Sequence, residues 1–476
     1  MILCPLRGKL CEAYMFTHLR RSPGFYKRVW MLSLPLILQN LITTSLGFVD
    51  TFMVGLLGQT ELSAVTAANS PVFLLQVIVF GLISGLTILA SQYWGKGDTD
   101  SINRCMGVTL YAGLGLAGLI ALVMFCFPTQ VMALVTNNQT LITMGAPYLR
   151  IVGLGYIFNA VTSVYVGAQR SAENPMMGMV VFTLSMLLNT FLNYVLIFGK
   201  FGAPAMGVTG AAVATLLSRV AEFLMALLYA LRDRRIPLRP ALILRPGKAV
   251  FRSFLRYATP TLFNETFWGL GTTMMTIVMG HMVISEEMLA AYAIMGNIDK
   301  FATVACFGLA GSTAILVGKY IGEGKSREEV YSVSCCLLIL AVSLGAAVAV
   351  VVAVLLPTVF IPYLYPLFHL EGLSMEIAVT MCIVYIFYMP LKAFDITNIT
   401  GVLRAGGDSR MAAIMDLTPL WFFAVPFTAL CGLVWNSPIW LICFASYSES
   451  ILKVPCGVAR LRSRKWINDV TRRADV

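Results

Sequence analysis

The sequence predicts an all-α membrane protein of twelve transmembrane helices in two pseudo-symmetric bundles of six. Composition is the first observation behind this prediction: the 476 residues are 58% hydrophobic and only 12% charged, with a mean hydropathy of +0.81. A soluble domain carries about 25% charged residues. The second observation is that the apolar runs are about twenty residues long or longer, which is the length of a membrane helix rather than of a barrel strand. The third is an internal repeat.

The repeat consists of one stretch that occurs twice. Residues 80–97 read FGLISGLTILASQYWGKG, and residues 307–324 read FGLAGSTAILVGKYIGEG, with eight identical positions and no gap. Each copy predicts an apolar helix that ends in a glycine-rich basic turn. Six predicted spans separate the copies, so both halves run in the same direction and are related by an axis along the membrane normal. Two such bundles around a central cavity can rock to expose it alternately to either side.

Apolar runs bounded by turn residues define the twelve spans. In chain order they cover residues 29–55, 62–94, 107–127, 143–169, 177–199 and 207–231, then 255–281, 288–320, 329–356, 379–403, 412–433 and 438–459. Runs such as 62–94 exceed one bilayer thickness, and we expect them to tilt, bend or project beyond the membrane.

Basic residues alternate between the connections. They are present in every second connection and in both terminal segments, whereas the remaining connections contain Lys200 as their single basic residue. By the positive-inside rule, both termini and the 232–256 linker are predicted to be cytoplasmic, in a cell membrane protein with an even number of spans. The predicted organisation is a basic cytoplasmic segment (1–28), an N-terminal bundle (29–231), a basic linker (232–256), a C-terminal bundle (257–459) and a basic tail (460–476).

Several classes of function are disfavoured. The net charge of +11 comes from lysines and arginines between spans, where they set topology, so no nucleic-acid partner is expected. The eleven cysteines contain no CxxC pair, and the three histidines lack metal-ligand spacing. No HExxH motif or paired interfacial aspartates are present. We therefore predict that the protein is not an enzyme and holds no cofactor.

Three carboxylates lie within predicted spans, where a charge costs a few kcal/mol and is a functional candidate by default. They are Asp50 in span 1, Glu265 in span 7 and Asp395 in span 10. Such a group can hold a proton or a metal cation and release it when a cationic substrate approaches. The alternative is a structural pairing with a basic neighbour, which Lys392 at i−3 offers to Asp395. No basic residue lies at helical spacing from the other two.

Other polar residues support the same interpretation. Asn189 and Asn193 in span 5 are one helical turn apart and face the same way. Asn264 and Thr266 flank Glu265, and Trp268 suits an aromatic cation through charge and cation–π attraction, or is a packing residue. Ionisable residues near cytoplasmic ends or beside opposite charges are interpreted as structural: Glu222, Arg219, Asp299, Lys300 and Asp416.

From residue 29 to 459 the sequence resembles the multidrug and toxic compound extrusion (MATE) family, and its NorM-like branch in particular. The resemblance rests on the opening PLILQNLITTSLGFVDTFMVGLLG, the FGL…YxGxG repeat, the run NYVLIFGKFGAPAMGVTGAAVAT (193–215) and LRAGGDS (403–409). It implies a V-shaped central cleft between the two bundles. It also implies an antiporter that exports organic cations and drugs across the plasma membrane against inward flow of Na⁺ or H⁺.

The resemblance also implies site residues. Asp50 matches the family's span-1 aspartate, and Asn189, Asn193 and Thr215 match polar positions of the N-terminal cavity, so these four are expected to serve cation coupling. The expected substrate contacts are Asp50, Trp268 and Asn264. Glu265 and Asp395 match the cation-binding carboxylates of the largely Na⁺-coupled NorM type, which makes Na⁺ their expected ligand. Tyr292 departs from the pattern, because some members carry histidine there.

The nearest alternative is a flippase for lipid-linked oligosaccharides from the same superfamily. That task requires a cavity that binds pyrophosphate and hence several cavity arginines, whereas the predicted spans offer carboxylates. Cation export is therefore favoured. The expected partners are small organic cations and the lipid bilayer, and the expected state is a monomer.

Overall fold

A computed structural model describes residues 18–368 and 370–472. Helices account for nearly all of this part of the chain, and no strand occurs in it, which confirms the all-α prediction. Three features of the sequence lie outside the described residues: the first 17 positions of the predicted N-terminal segment, His369, and the last four positions of the tail.

Fifteen helices are labelled here in chain order. They are α1 (Pro23–Gly55), α2 (Gln59–Lys96), α3 (Thr99–Cys126), α4 (Pro128–Val135), α5 (Gln139–Ser171), α6 (Pro175–Phe198), α7 (Gly207–Arg232), α8 (Pro240–Leu244), α9 (Lys248–Gly280), α10 (Ser285–Gly322), α11 (Arg327–Leu367), α12 (Gly372–Leu403), α13 (Ser409–Val434), α14 (Ile439–Tyr447) and α15 (Glu449–Ser463).

Ten of these helices in the described ranges are long and apolar enough to cross a membrane: α1–α3, α5–α7 and α10–α13. Predicted span 7 corresponds to α9, which is 33 residues long and is not among these ten. Predicted span 12 corresponds to two shorter helices, α14 and α15, which meet at Ser448. Short α4 and α8 lie in connections.

The helices form two compact units. Among the described residues, unit 1 contains 18–37, 266–368 and 370–469, and unit 2 contains 38–265 and 470–472. The first half of α1 therefore belongs to unit 1, where Phe25, Val29 and Leu32 join its hydrophobic core. The first half of α9 belongs to unit 2, where Phe254 is buried in the core. The predicted bundle boundaries at 29–231 and 257–459 remain predictions.

Both copies of the sequence repeat end in the same backbone turn. Gly97 and Gly324 follow α2 and α10, and each has φ = 73°, a left-handed conformation that glycine adopts without a Cβ clash. The next residue then donates its N–H to the tyrosine carbonyl five positions back, at 3.0 Å in the first copy and 3.1 Å in the second. The glycines of the YxGxG motif therefore terminate equivalent helices.

Small residues allow close helix contact within unit 2. A Cβ atom at Gly85 of α2 would lie 2.5 Å from the Cβ of Ala258 in α9, so a larger residue there would force the helices apart. Membrane helices associate through close packing of this kind, since lipid supplies no hydrophobic driving force between them.

Helix α12 widens near its end. Residues Thr397–Leu403 form a π-helical segment, in which the N–H of Arg404 donates to the carbonyl of Ile399 at 3.2 Å. Similar wide segments occur in α11 and α13. Insertions of this type are frequent at functional sites, and the one in α12 begins two residues after Asp395.

Candidate functional site

A chain of hydrogen bonds leads inward from Asp50 in unit 2. Asn193 of α6 donates from its side-chain amide to Oδ1 of Asp50 at 2.6 Å, and accepts nothing at its own buried Oδ1 from any described residue. The Asn193 amide also donates to Asn189 at 3.0 Å, and Asn189 donates to the hydroxyl of Ser218 at 3.3 Å. Ser218 donates to the backbone carbonyl of Thr215 at 2.8 Å. Thus α1, α6 and α7 meet at one polar network.

A buried ion pair extends this network. Glu222 of α7 is fully buried and accepts from Arg219 at 2.6 Å, from Ser185 of α6 at 3.1 Å and from Asn159 of α5 at 3.1 Å. Ser185 also donates to the backbone carbonyl of Ser218, which joins the pair to the chain that begins at Asp50. Arg219 lies close enough to Asp50 for electrostatic interaction. The pair was expected to be structural from sequence, and the structure locates it inside the polar network.

The Arg219 guanidinium has an aromatic neighbour as well. Its central carbon lies 5.8 Å from the ring centroid of Tyr156 in α5, a cation–π distance. The hydroxyl of Tyr156 accepts from the side-chain amide of Gln76 in α2 at 2.6 Å. The Arg219 guanidinium therefore contacts both the Glu222 carboxylate and the Tyr156 ring.

Asp395 in unit 1 belongs to a second charged cluster. It is 6% exposed and lies near the side chains of Ser450 and Lys453. The Lys453 ammonium is 2.8 Å from Asp416 of α13 and 2.8 Å from Glu449, one turn earlier in α15. Two carboxylates therefore contact a lysine whose side chain is 5% exposed, and Asp395 lies nearby. Asp416, expected to be structural, is part of this cluster.

Lys392 does not pair with Asp395, although its spacing allowed that alternative. Its Nζ lies 2.5 Å from Asp299 of α10 and 5.7 Å from the ring centroid of Tyr385. The sequence offered Lys392 as a partner because it precedes Asp395 by three residues. The tertiary fold instead supplies Lys453, which is 58 residues away.

The remaining predicted residues lie on α9. Asn264 is 1% exposed, and Trp268 is 39% exposed. Asn264 and Glu265 belong to unit 2, whereas Trp268 and Asp395 belong to unit 1. A shared ion site of Glu265 and Asp395 therefore stays a prediction, as does substrate contact by Trp268 and Asn264.

The described part of the chain contains no group of three or more His, Cys, Asp or Glu residues arranged around a metal ion. Individual oxygen acceptors of the kind that hard cations prefer are present. Oδ1 of Asn193 in unit 2, and Oδ2 of Asp395 and Oδ1 of Asn398 in unit 1, are buried without a hydrogen-bond donor from the described residues.

Comparison with known families identifies the architecture. A model of the MatE family matches residues 35–195 and 260–430, more than half of the chain. The chain belongs to the MatE family. The two matched segments fall in the two halves related by the sequence repeat. MATE proteins are transporters rather than enzymes, so the chain is a multi-span membrane transporter.

Two relatives illustrate the similarity. The chain is 25% identical over 405 residues to a probable multidrug resistance protein NorM of Thermotoga maritima, with 85% of each chain covered. It is 22% identical over 428 residues to the multidrug export protein MepA of Staphylococcus aureus, covering 88% of this chain and 91% of that protein.

Solved MATE structures share the fold. A crystal structure of MATE in complex with MaL6 has a TM-score of 0.82 at 19% identity and covers 97% of this chain and 99% of that chain. An outward-facing multidrug resistance MATE transporter gives 0.80 at 20% identity, with coverages of 94% and 98%. These matches confirm the predicted fold class, including its twelve helices.

Proposed function

We propose that this MATE protein exports organic cations across the cell membrane in exchange for inward Na⁺ or H⁺. The observation that carries the proposal is the Asp50–Asn193 pair. Asp50 supplies a half-buried carboxylate, and Asn193 holds it by a 2.6 Å hydrogen bond while its own buried oxygen has no donor among the described residues. A carboxylate and an amide oxygen together form an acceptor site that a cation would satisfy.

The network provides the negative charge that such exchange requires. Glu222 is neutralised by Arg219 at 2.6 Å, so Asp50 carries the unbalanced charge. An unbalanced carboxylate within a membrane is costly, and one proton, Na⁺ or organic cation relieves that cost. Because each of these ligands satisfies the same carboxylate, binding of one disfavours binding of the other, which is the minimal requirement of antiport.

Multidrug export is supported by the relatives. The Thermotoga maritima relative is named as a probable multidrug resistance protein and the Staphylococcus aureus relative as a multidrug export protein, and both align with more than four fifths of this chain. Inward movement of one positive charge is favoured by about 2.3 kcal/mol per 100 mV of membrane potential. An exchange in which more charge enters than leaves would use that energy to expel the substrate. We place the protein in the cell membrane as a monomer, with both termini cytoplasmic.

The oligosaccharide flippase is the weaker alternative. A pyrophosphate group would need arginines that are available to an anion, but Arg219 in the unit 2 network is already paired with Glu222. No specific observation favours the flippase.

The coupling ion is Na⁺ in our proposal, with Glu265 and Asp395 as its carboxylate ligands in addition to the site at Asp50. Oδ2 of Asp395 and Oδ1 of Asn398 are buried oxygens that suit a hard cation. Efflux from proteoliposomes under an imposed Na⁺ gradient at equal pH is expected. Efflux that ignores Na⁺ and follows a pH gradient would assign H⁺ instead.

The test of transport itself is the Asp50→Asn substitution. Expression of the wild type in an efflux-deficient host should lower ethidium accumulation, and Asp50→Asn should abolish that effect, because it removes the unbalanced charge while keeping the shape of the side chain. Glu376→Gln, at an exposed carboxylate in the second turn of α12, is the matched control and should export like the wild type. If Asp50→Asn exported ethidium as well as the wild type at equal protein level, Asp50 would have a structural role and the proposal would be wrong.

A further inference from the structure

The 232–256 linker between α7 and α9 concentrates positive charge that the proposed exchange cycle does not use. It contains eight arginines and lysines and a single acid, Asp233, which accepts from two backbone N–H groups of the linker itself. Arg239 pairs with Asp100 of α3. Four exposed members of the basic set form no ion pair with any residue that the structure describes: Arg245, Lys248, Arg252 and Arg256.

Hydrogen bonds to α3 fix the linker in unit 2. The side-chain amide of Asn103 donates to the carbonyl of Pro237 at 3.1 Å and accepts from the N–H of Arg239 at 3.1 Å. About two turns further along α3, the hydroxyl of Tyr111 donates to the carbonyl of Leu244 at 3.0 Å. The linker therefore has a defined position along α3, and a ligand that binds there does not have to order it first.

The first turns of α9 have the side-chain pattern of a membrane surface. Phe251 and Leu255 lie one turn apart and are 48% and 44% exposed. Lys248, Arg252 and Arg256 follow the same spacing and form the neighbouring stripe of the helix. Exposed apolar side chains beside basic ones are typical of a helix at the boundary between hydrocarbon and headgroups. The basic stripe is therefore expected at the level of the lipid headgroups.

An apolar cavity of about 150 Å³ lies beside the linker in unit 2. Residues of α3, α5 and α7 form its walls, and Leu238 and Ile243 of the linker complete the lining. Two lining side chains carry polar groups that are bonded elsewhere: the Thr162 hydroxyl donates to a carbonyl of its own helix, and the Tyr165 hydroxyl donates to Asp233 at 3.4 Å. An apolar cavity of about this size stays dry and binds a benzene-sized group. It can therefore hold several methylene groups.

The cavity and the unpaired basic side chains are close along the chain. Ile243 lines the cavity and Arg245 follows two residues later, so their Cα atoms are at most about 7 Å apart. Leu227, another lining residue, is 38% exposed on the membrane-crossing helix α7, so the cavity lies at the surface of unit 2. An amphiphile can thus place an apolar chain in the cavity while its charged group meets the linker.

We propose that the linker and this cavity form a binding site for an anionic phospholipid of the cytoplasmic leaflet. The headgroup lies among Arg245, Lys248, Arg252 and Arg256, and one acyl chain enters the cavity. Anionic headgroups are concentrated in the leaflet on which the positive-inside rule places the linker. An acidic peptide would meet the same charge but would leave the cavity empty. The site lies apart from the carboxylates of the exchange cycle and does not depend on the proposed function.

The test is thermal unfolding of the purified full-length protein in detergent with added lipid. Dioleoyl phosphatidylglycerol and dioleoyl phosphatidylcholine have the same acyl chains and differ in net charge, and a lipid that binds only the folded state raises Tm. Phosphatidylglycerol should raise the Tm of the wild type at lower concentrations than phosphatidylcholine does. The half-maximal phosphatidylglycerol concentration should increase at least about tenfold when the four basic residues are removed, because each contributes about fivefold near an anionic headgroup. That variant is Arg245→Gln/Lys248→Gln/Arg252→Gln/Arg256→Gln.

A matched control removes the same charge from unit 1. The variant Arg327→Gln/Arg410→Gln/Arg462→Gln/Lys465→Gln changes four exposed basic residues of that unit and should keep the wild-type response to phosphatidylglycerol.

A second variant tests the cavity without altering charge. Ala226 is 3% exposed and lines the cavity, so Ala226→Leu fills part of it. The half-maximal phosphatidylglycerol concentration should again rise at least about tenfold, because methylene groups of the acyl chain lose their burial. The smaller change Ala226→Val should act in the same direction and serves if Ala226→Leu does not fold.

Three results would overturn the inference. Equal responses to the two lipids in the wild type would remove the role of charge, and an unchanged response in the linker variant would do the same. Inorganic phosphate that raised Tm as much as phosphatidylglycerol would show an anion site without an acyl chain. A preference for phosphatidylglycerol that both the linker variant and the Ala226 variants weaken, and the unit 1 control retains, supports the site whether or not the protein exports ethidium.

Discussion

At the scale of single residues, Glu222 is the most completely satisfied carboxylate of the unit 2 network. Its two oxygens accept from a guanidinium, a hydroxyl and an amide, all within 3.1 Å, and its side chain is fully buried. A buried ion pair of this kind contributes little net stability relative to a neutral pair, because both charges were removed from water. Loss of one partner is costly, since the other charge then remains buried alone.

The pair therefore predicts that the stability losses of the two single variants do not add in the double variant. Arg219→Gln and Glu222→Gln should each destabilise the protein by about 3–5 kcal/mol, since each leaves one buried charge unpaired. The double variant Arg219→Gln/Glu222→Gln retains hydrogen-bonding groups without either charge and should lie closer to the wild type than each single variant. The Tm of each variant in detergent measures these changes in stability. Additive losses in the double variant would show that the two side chains do not act as a pair.

Some of these residues could be predicted from the sequence, whereas the contacts of others depend on tertiary packing. Asn189 and Asn193 share a helix face because they are four residues apart, and Asp50 stood out as a carboxylate in an apolar span. Arg219 and Glu222 are three residues apart, so their pairing was visible, but their burial depends on α5 and α6 packing against α7. The contact between Lys453 and Asp416 joins residues 37 positions apart and has no local signal.

At the scale of secondary structure, the sequence predicts the ends of helices better than the irregularities within them. A glycine follows each of α2 and α10 because the turn there needs a positive φ. This requirement depends on the local backbone alone and can therefore be predicted from the sequence. The π-helical segments of α11, α12 and α13 have no comparable sequence signature. The break between α14 and α15 at Ser448 was likewise missed within a continuous apolar run.

The two terminal glycines provide a prediction for these elements. Gly97→Ala and Gly324→Ala should each destabilise the protein by about 1 kcal/mol, because an L-residue at φ = 73° is strained. No neighbouring atom lies within 4 Å of the added Cβ at either position, so backbone strain is the whole effect. Gly115→Ala, in the interior of α3 with equally open surroundings, is the control. It should be neutral or stabilising by about 0.5–1 kcal/mol, and Tm distinguishes the two directions.

At the scale of the whole molecule, the distribution of basic residues predicts the orientation in the membrane. The 232–256 linker and the chain after α15 are rich in arginine and lysine, whereas the loop between α4 and α5 has none. The family match confirms a multi-span transporter, because the fold depends on composition and a repeat that are both visible in the sequence. Orientation is an independent property that charge alone predicts.

Reporter fusions test this orientation. A reporter fused after Lys248 or after Ser463 should give a cytoplasmic signal, and one fused after Asn137 should give an external signal, because positively charged connections stay on the cytoplasmic side. Asn137 lies between α4 and α5 in a connection without lysine or arginine. An external signal after Lys248 would contradict the predicted division of six spans on either side of the linker.

The matching turns after α2 and α10 also bear on the ancestry of the chain. Gly97 and Gly324 keep the same backbone angle, while the carboxylates Asp50 and Glu265 occupy positions that are not equivalent in the repeat. Backbone geometry restricts substitution at these glycines, because few other residues adopt a φ of 73° without strain. Charged side chains could change one half at a time. The two halves of one ancestral unit have therefore kept their turns and specialised in their chemistry.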